Sequence, residues 1–86
     1  MKIKEITETT FGELKAGDIF GKRNDSTLSE LLKDEMVYDE IKECHVDTRG
    51  YLKIDNPLIT MNAVLINKGE LRTFTPEFKV FKYELV

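Results

Sequence analysis

From Ile41 to the end of the chain, turn-forming residues recur too often for a helix to fit between them. Asp47–Gly50, Asn56-Pro57, Asn67–Gly69 and Thr75-Pro76 divide this half into short apolar pieces such as "NAVLI" and "KVFKYELV". An isolated helix needs about 12–15 residues to be even marginal in water, so these pieces read as strands. Many short strands joined by tight turns favour a small closed or half-closed barrel, because a fully open sheet would expose its edges. With 86 residues the chain makes one domain, near the lower limit for a self-sufficient core, and self-association would help it.

Local signals place the elements. In "TFGELKAGDIF", Thr10 and Glu13 have capping-box spacing over one helical turn. Gly17 permits the left-handed backbone that ends such a turn, and Asp18 suits the corner before a first strand at "GDIF". Thr27 and Glu30 form a second box, and Leu28, Leu31, Leu32 and Met36 at helical spacing predict an amphipathic helix over 28–36. Asp47, Thr48, Arg49 and Gly50 have the composition of a type I turn joining strands near 41–46 and 51–55. Asn56-Pro57 interrupts the chain. Ala63 to Ile66 reads as a strand buried on both faces, and Gly69 closes a hairpin to Leu71–Phe74. At the end, Phe81, Tyr83 and Leu85 alternate onto one face. Such a strand must be paired within the barrel or by a second subunit. The expected fold is therefore mainly β, with one short helix and five to six antiparallel strands.

Composition and charge limit function. Apolar residues at 41% and charged ones at 34% suit a compact domain. Thirteen basic against sixteen acidic residues give a net charge of −3, which argues against non-specific binding of polyanions. Cys44 is the one cysteine, which excludes an internal disulfide and fits a reducing compartment. The first residues lack the apolar run of a secretory signal, and "AVLI" is far short of the roughly 20 residues that span a bilayer. The chain reads as cytoplasmic, with no membrane partner.

The order F-x-x-L-K-x-G-D-x-F (Phe11, Leu14, Lys15, Gly17, Asp18, Phe20), then Y-x-K-I (Tyr51, Lys53, Ile54), then N-A-V-x-x-x-x-G-E-L (Asn62, Ala63, Val64, Gly69, Glu70, Leu71), resembles a group of very small phage and prophage proteins. The resemblance implies an SH3-like, partly closed barrel and an accessory role such as binding a host factor or neutralising a defence system. It covers the two ends of the chain. Residues 22–50, with the predicted helix, are inserted where the pattern runs almost directly from one strand to the next.

Candidate chemistry is sparse. Cys44 and His45 are adjacent, but zinc needs about four ligands, and neighbours on a strand face opposite ways. No catalytic constellation, metal site or cofactor is expected. Lys22, Arg23, Arg49 and Lys53 could together hold a phosphate, with Tyr51 stacking on a base. Asp34, Glu35, Asp39, Glu40 and Glu43 make an acidic segment, and with Leu28 they form a candidate partner surface. Three functions follow in order: a non-enzymatic inhibitor of a host protein acting through 22–50, a nucleotide or nucleic-acid binder (a sponge for a small signalling nucleotide), and a component that assembles with copies of itself.

Overall fold

The structure, a computed structural model, describes residues 1–33, 35–55 and 61–86. Asp34 and the Asn56-Pro57 break lie outside them. The described chain is mainly β with one short helix. It runs β1 (Ile3–Thr10), a 3-10 turn (Phe11–Glu13), β2 (Ile19–Gly21), α1 (Leu28–Leu31), β3 (Val37–Asp39), β4 (Cys44–Val46), β5 (Tyr51–Lys53), β6 (Ala63–Leu65), β7 (Leu71–Arg72) and β8 (Lys79–Leu85). Among the described residues, six strands form one antiparallel sheet in the order β1-β8-β2-β5-β6-β7, while β3 and β4 pair only with each other. The sheet does not close into a barrel: β1 and β7 remain its two edges.

Burial follows from four aromatic rings. Phe20 is 0% exposed and lies 5.4 Å from Phe11, 5.5 Å from Tyr51 and 5.2 Å from Phe74, ring centre to ring centre. Leu14, Ala63, Leu65 and Val80 complete the cluster. On β8 the fully buried residues are Val80 and Tyr83, not the alternating trio of Phe81, Tyr83 and Leu85. The strand runs between β1 and β2, so it meets different neighbours along its length.

Several local expectations hold. Thr27 and Glu30 form their reciprocal box at the start of α1. Gly17 and Gly69 both take positive φ, 95° and 67°. Residues 75–78 turn with Phe78 N donating to Thr75 O.

Four expectations are corrected. The first strand is β1, ahead of the quoted stretch, because it pairs along its length with β8. Thr10 makes no cap; instead Thr9 Oγ1 donates to Glu13 at 3.0 Å. The helix ends at Leu31 rather than 36, since the Leu31 carbonyl accepts from Gly50 N at 2.8 Å instead of continuing the helical ladder. Finally, β4 turns back on β3, not forward to β5. Asp39 Oδ1 accepts from Ile41 N and Lys42 N, which makes the corner one strand earlier than expected.

Gly50 is where α1 meets the sheet. A Cβ there would stand 2.9 Å from the Leu31 carbonyl oxygen and 3.0 Å from Ile66 Cδ1. Gly50→Ala is expected to cost about 1–3 kcal/mol, because backbone must move apart in a packed region. A urea midpoint within error of wild type would show that the contact is slack.

Candidate functional site

The five residues proposed to hold a phosphate do not converge. Three of them gather: Lys22, just past β2, and Arg49 and Tyr51 on the approach to and start of β5. They gather around an acid, Asp47. Lys22 Nζ lies 3.2 Å from Asp47 Oδ2, Arg49 Nε donates to Asp47 Oδ1 at 2.9 Å, and the Tyr51 hydroxyl donates to Asp47 Oδ2. Burial works against charge on Asp47. Hydrogen bonds from Arg49 and Tyr51 outweigh it and hold the carboxyl at about 2. Burial, with the Asp47 carboxylate beside it, pushes the Tyr51 phenol up to about 12.

Arg23 and Lys53 sit elsewhere. Arg23 makes a two-point contact with Asp25, both bonds at 2.9 Å. Lys53 Nζ donates to the carbonyls of Phe11 at 3.1 Å and Leu14 at 2.5 Å, and lies 4.7 Å from the Phe11 ring centre. It ties down the end of the 3-10 turn. The stacking role for Tyr51 is also corrected: the residue is 0% exposed, packed against Phe20 and Phe74, so its ring has no open face for a base.

The arrangement is an anchor. Lys22 opens the 22–50 segment and Arg49 stands near its end, with Asp47 bonded to both. Further bonds hold the same base. Ser26 Oγ donates to Thr48 O at 2.9 Å, while the Tyr83 hydroxyl accepts from Ser26 N at 3.1 Å and donates to Arg23 O at 2.5 Å. In the sequence Asp47 reads as a turn former, which hides its place at the centre of this cluster. The signal that finds it is Asp-x-Arg-x-Tyr, since residues two apart on an extended chain share a face.

Above this base the segment offers a surface. The β3–β4 hairpin pairs Tyr38 with His45, their rings 5.2 Å apart, and Asp39 with Cys44. Ile41 at its tip is 95% exposed, and Tyr38, Met36 and Leu32 are exposed too. Among the partner-surface candidates, Glu35, Glu40 and Glu43 are exposed, while Leu28 and Asp39 are half-buried. A groove between α1 and the hairpin is lined by Glu30, Tyr38, Asp39, Glu40, Ile41 and Thr48, among others. Thr48 Oγ1 is buried there, without a hydrogen-bond partner among the described residues.

Cys44 is free and exposed, and no group of three potential metal ligands occurs among the described residues. No helix among them is long and apolar enough to cross a membrane. The chain matches no family model, no curated protein and no solved structure.

Proposed function

We propose that this protein is a non-enzymatic binding module whose 22–50 segment docks on a basic surface of another protein. One observation carries the reading. A hairpin that contributes no strand to the main sheet holds Tyr38 and Ile41 in solvent, Ile41 95% exposed, and Glu35, Glu40 and Glu43 are exposed along the same segment, with Lys42 the one exposed base at the tip. Apolar anchors within a charged rim are the usual anatomy of a protein interface. The acidic rim selects a partner rich in Lys and Arg and speeds encounter with it. The ion cluster at Asp47 supports the role by fixing the base of the segment, which lowers the entropy lost on docking. On the resemblance to phage proteins, the partner is a host cytoplasmic protein that the module inhibits or redirects, as a counter-defence factor would. The nucleotide reading has less support, because the basic side chains it requires are spent on Asp47, Asp25 and backbone carbonyls.

The test is affinity capture from host lysate at low and high salt. Wild type is expected to retain a discrete basic protein, with less retained as salt rises. Ile41→Glu and the charge reversal Glu40→Lys/Glu43→Lys should each abolish capture while leaving the melting temperature within about 2 °C, since these positions bury little. Undiminished capture by both variants would move the interface off the hairpin.

A further inference from the structure

The groove between α1 and the β3–β4 hairpin is lined by acids that nothing neutralises. Its volume is about 410 Å³, inside the range of roughly 300–1,000 Å³ that takes a small ligand, so it admits one side chain rather than a helix. Asp25 also lines it, but Arg23 meets both oxygens of that carboxylate. Glu30, Asp39 and Glu40 form no ion pair among the described residues. Lys42, exposed at the hairpin tip, is outside the lining. Glu30 and Asp39 are half-buried, and the backbone orients both: Glu30 Oε1 accepts from Thr27 N and Asp39 Oδ1 from Ile41 N, each at 2.9 Å. Their fields cross the groove, since both add to the raised pKa that Arg23 owes first to its bond with Asp25.

Acids alone would make a solvated face. Thr48 makes this one a pocket. Of the residues lining the groove it alone is buried, 5% exposed, and its Oγ1 has no hydrogen-bond partner among the described residues. Buried hydroxyls are nearly always bonded, because burial strips them of water. This one is also fixed in place. Ser26 Oγ donates to the Thr48 carbonyl at 2.9 Å, and the residues on either side, Asp47 and Arg49, are bonded to each other. Walls and rim narrow the donor that fits. Val37 and Val46 stand opposite each other in the β3–β4 pair and suit an aliphatic stem, while Tyr38, 52% exposed, offers a ring at the rim. The acceptors come from three separate segments. A planar guanidinium, with five N–H donors and an affinity for aromatic faces, meets them better than one compact ammonium.

We propose, resting on the reading that the 22–50 segment docks a basic partner, that this groove receives one arginine side chain of that partner. The stem lies against Val37 and Val46, and the guanidinium bonds to Thr48 Oγ1, Glu30 and Asp39. The groove is built before the partner arrives, so little ordering entropy is lost on binding.

Nuclear magnetic resonance titration of the whole chain with N-acetylarginine amide tests this, with the lysine and uncharged citrulline counterparts as comparisons. The arginine probe is expected to shift the Thr48, Val37 and Val46 methyl signals and to bind about tenfold more tightly than the other two. Glu30→Gln, which keeps the capping box, and Thr48→Val, which keeps the shape, should each weaken arginine binding about tenfold. Thr48→Val should also raise the melting temperature, since it deletes a buried hydroxyl that lacks a bond. Methyl signals unmoved at tens of millimolar probe overturn the proposal. So does equal binding of either comparison probe, or undiminished arginine binding by Thr48→Val. Lysate capture separates this site from the docking role: capture that Ile41→Glu abolishes and Thr48→Val leaves intact overturns the arginine site and keeps the docking surface.

Discussion

Phe20→Ala should strip this protein of a large share of its stability. The side chain is 0% exposed and touches the rings of Phe11, Tyr51 and Phe74 at once. Truncating a buried phenylalanine costs about 3–5 kcal/mol through lost burial and the cavity left behind. A domain of 86 residues is stable by only about 4–13 kcal/mol in total. The loss therefore consumes a large share of the whole. Phe20→Leu keeps most of the volume and should cost less than half as much. Urea denaturation followed by circular dichroism measures both, and an alanine variant within 1 kcal/mol of wild type would mean that Phe20 is not the centre of the core.

The second large effect belongs to Asp47. Asp47→Asn removes the negative charge paired with Lys22 and Arg49 and turns one of its two acceptor oxygens into a donor, leaving a single amide oxygen for both Arg49 and the Tyr51 hydroxyl. The Asp47 side chain is 9% exposed and Arg49 13%, so solvent compensates little, and the expected cost at neutral pH is about 2–3 kcal/mol. Lys22, 38% exposed, adds little to that sum. The pH dependence has a definite sign. Asp47 has a folded-state pKa depressed from 3.8 to about 2, so its contribution is complete above the unfolded value and disappears as pH falls through the folded one. Wild type should therefore lose about 2 kcal/mol between roughly pH 5 and pH 2 that the asparagine variant has already lost. Stability curves that run parallel across this window would refute the account.

What the sequence reveals here is local chemistry. The Thr27–Glu30 box and the glycines at 17 and 69 depend on residues within a few positions, and each forms as expected. The errors arise where a distant partner decides. The leucine spacing argues for a helix to 36, but Gly50 takes the Leu31 carbonyl and the helix stops. Asp47–Gly50 has turn composition, yet Asp47 spends its oxygens on Arg49, Tyr51 and Lys22, and Asp39 makes the corner instead. β1 is not legible in "IKEITETT", which carries few apolar residues; its strand character comes from pairing with β8, which no local pattern records. The candidate site divides the same way. Arg49 and Tyr51 are two apart and share a face, whereas Lys22 joins them only because β2 lies beside β5.

The position of β8 also sets the order in which the molecule can be built. The strand lies between β1 and β2, so β1 has no partner in the sheet until residues 79–85 arrive. Pairing residue 3 with residue 85 closes nearly the largest loop this chain allows. Such non-local topologies fold in milliseconds to seconds rather than microseconds. During synthesis, Phe11, Phe20 and Tyr51 leave the ribosome well before the strand that covers them. Until β8 arrives the nascent chain carries an incompletely covered aromatic cluster, the kind of surface through which partly folded chains aggregate.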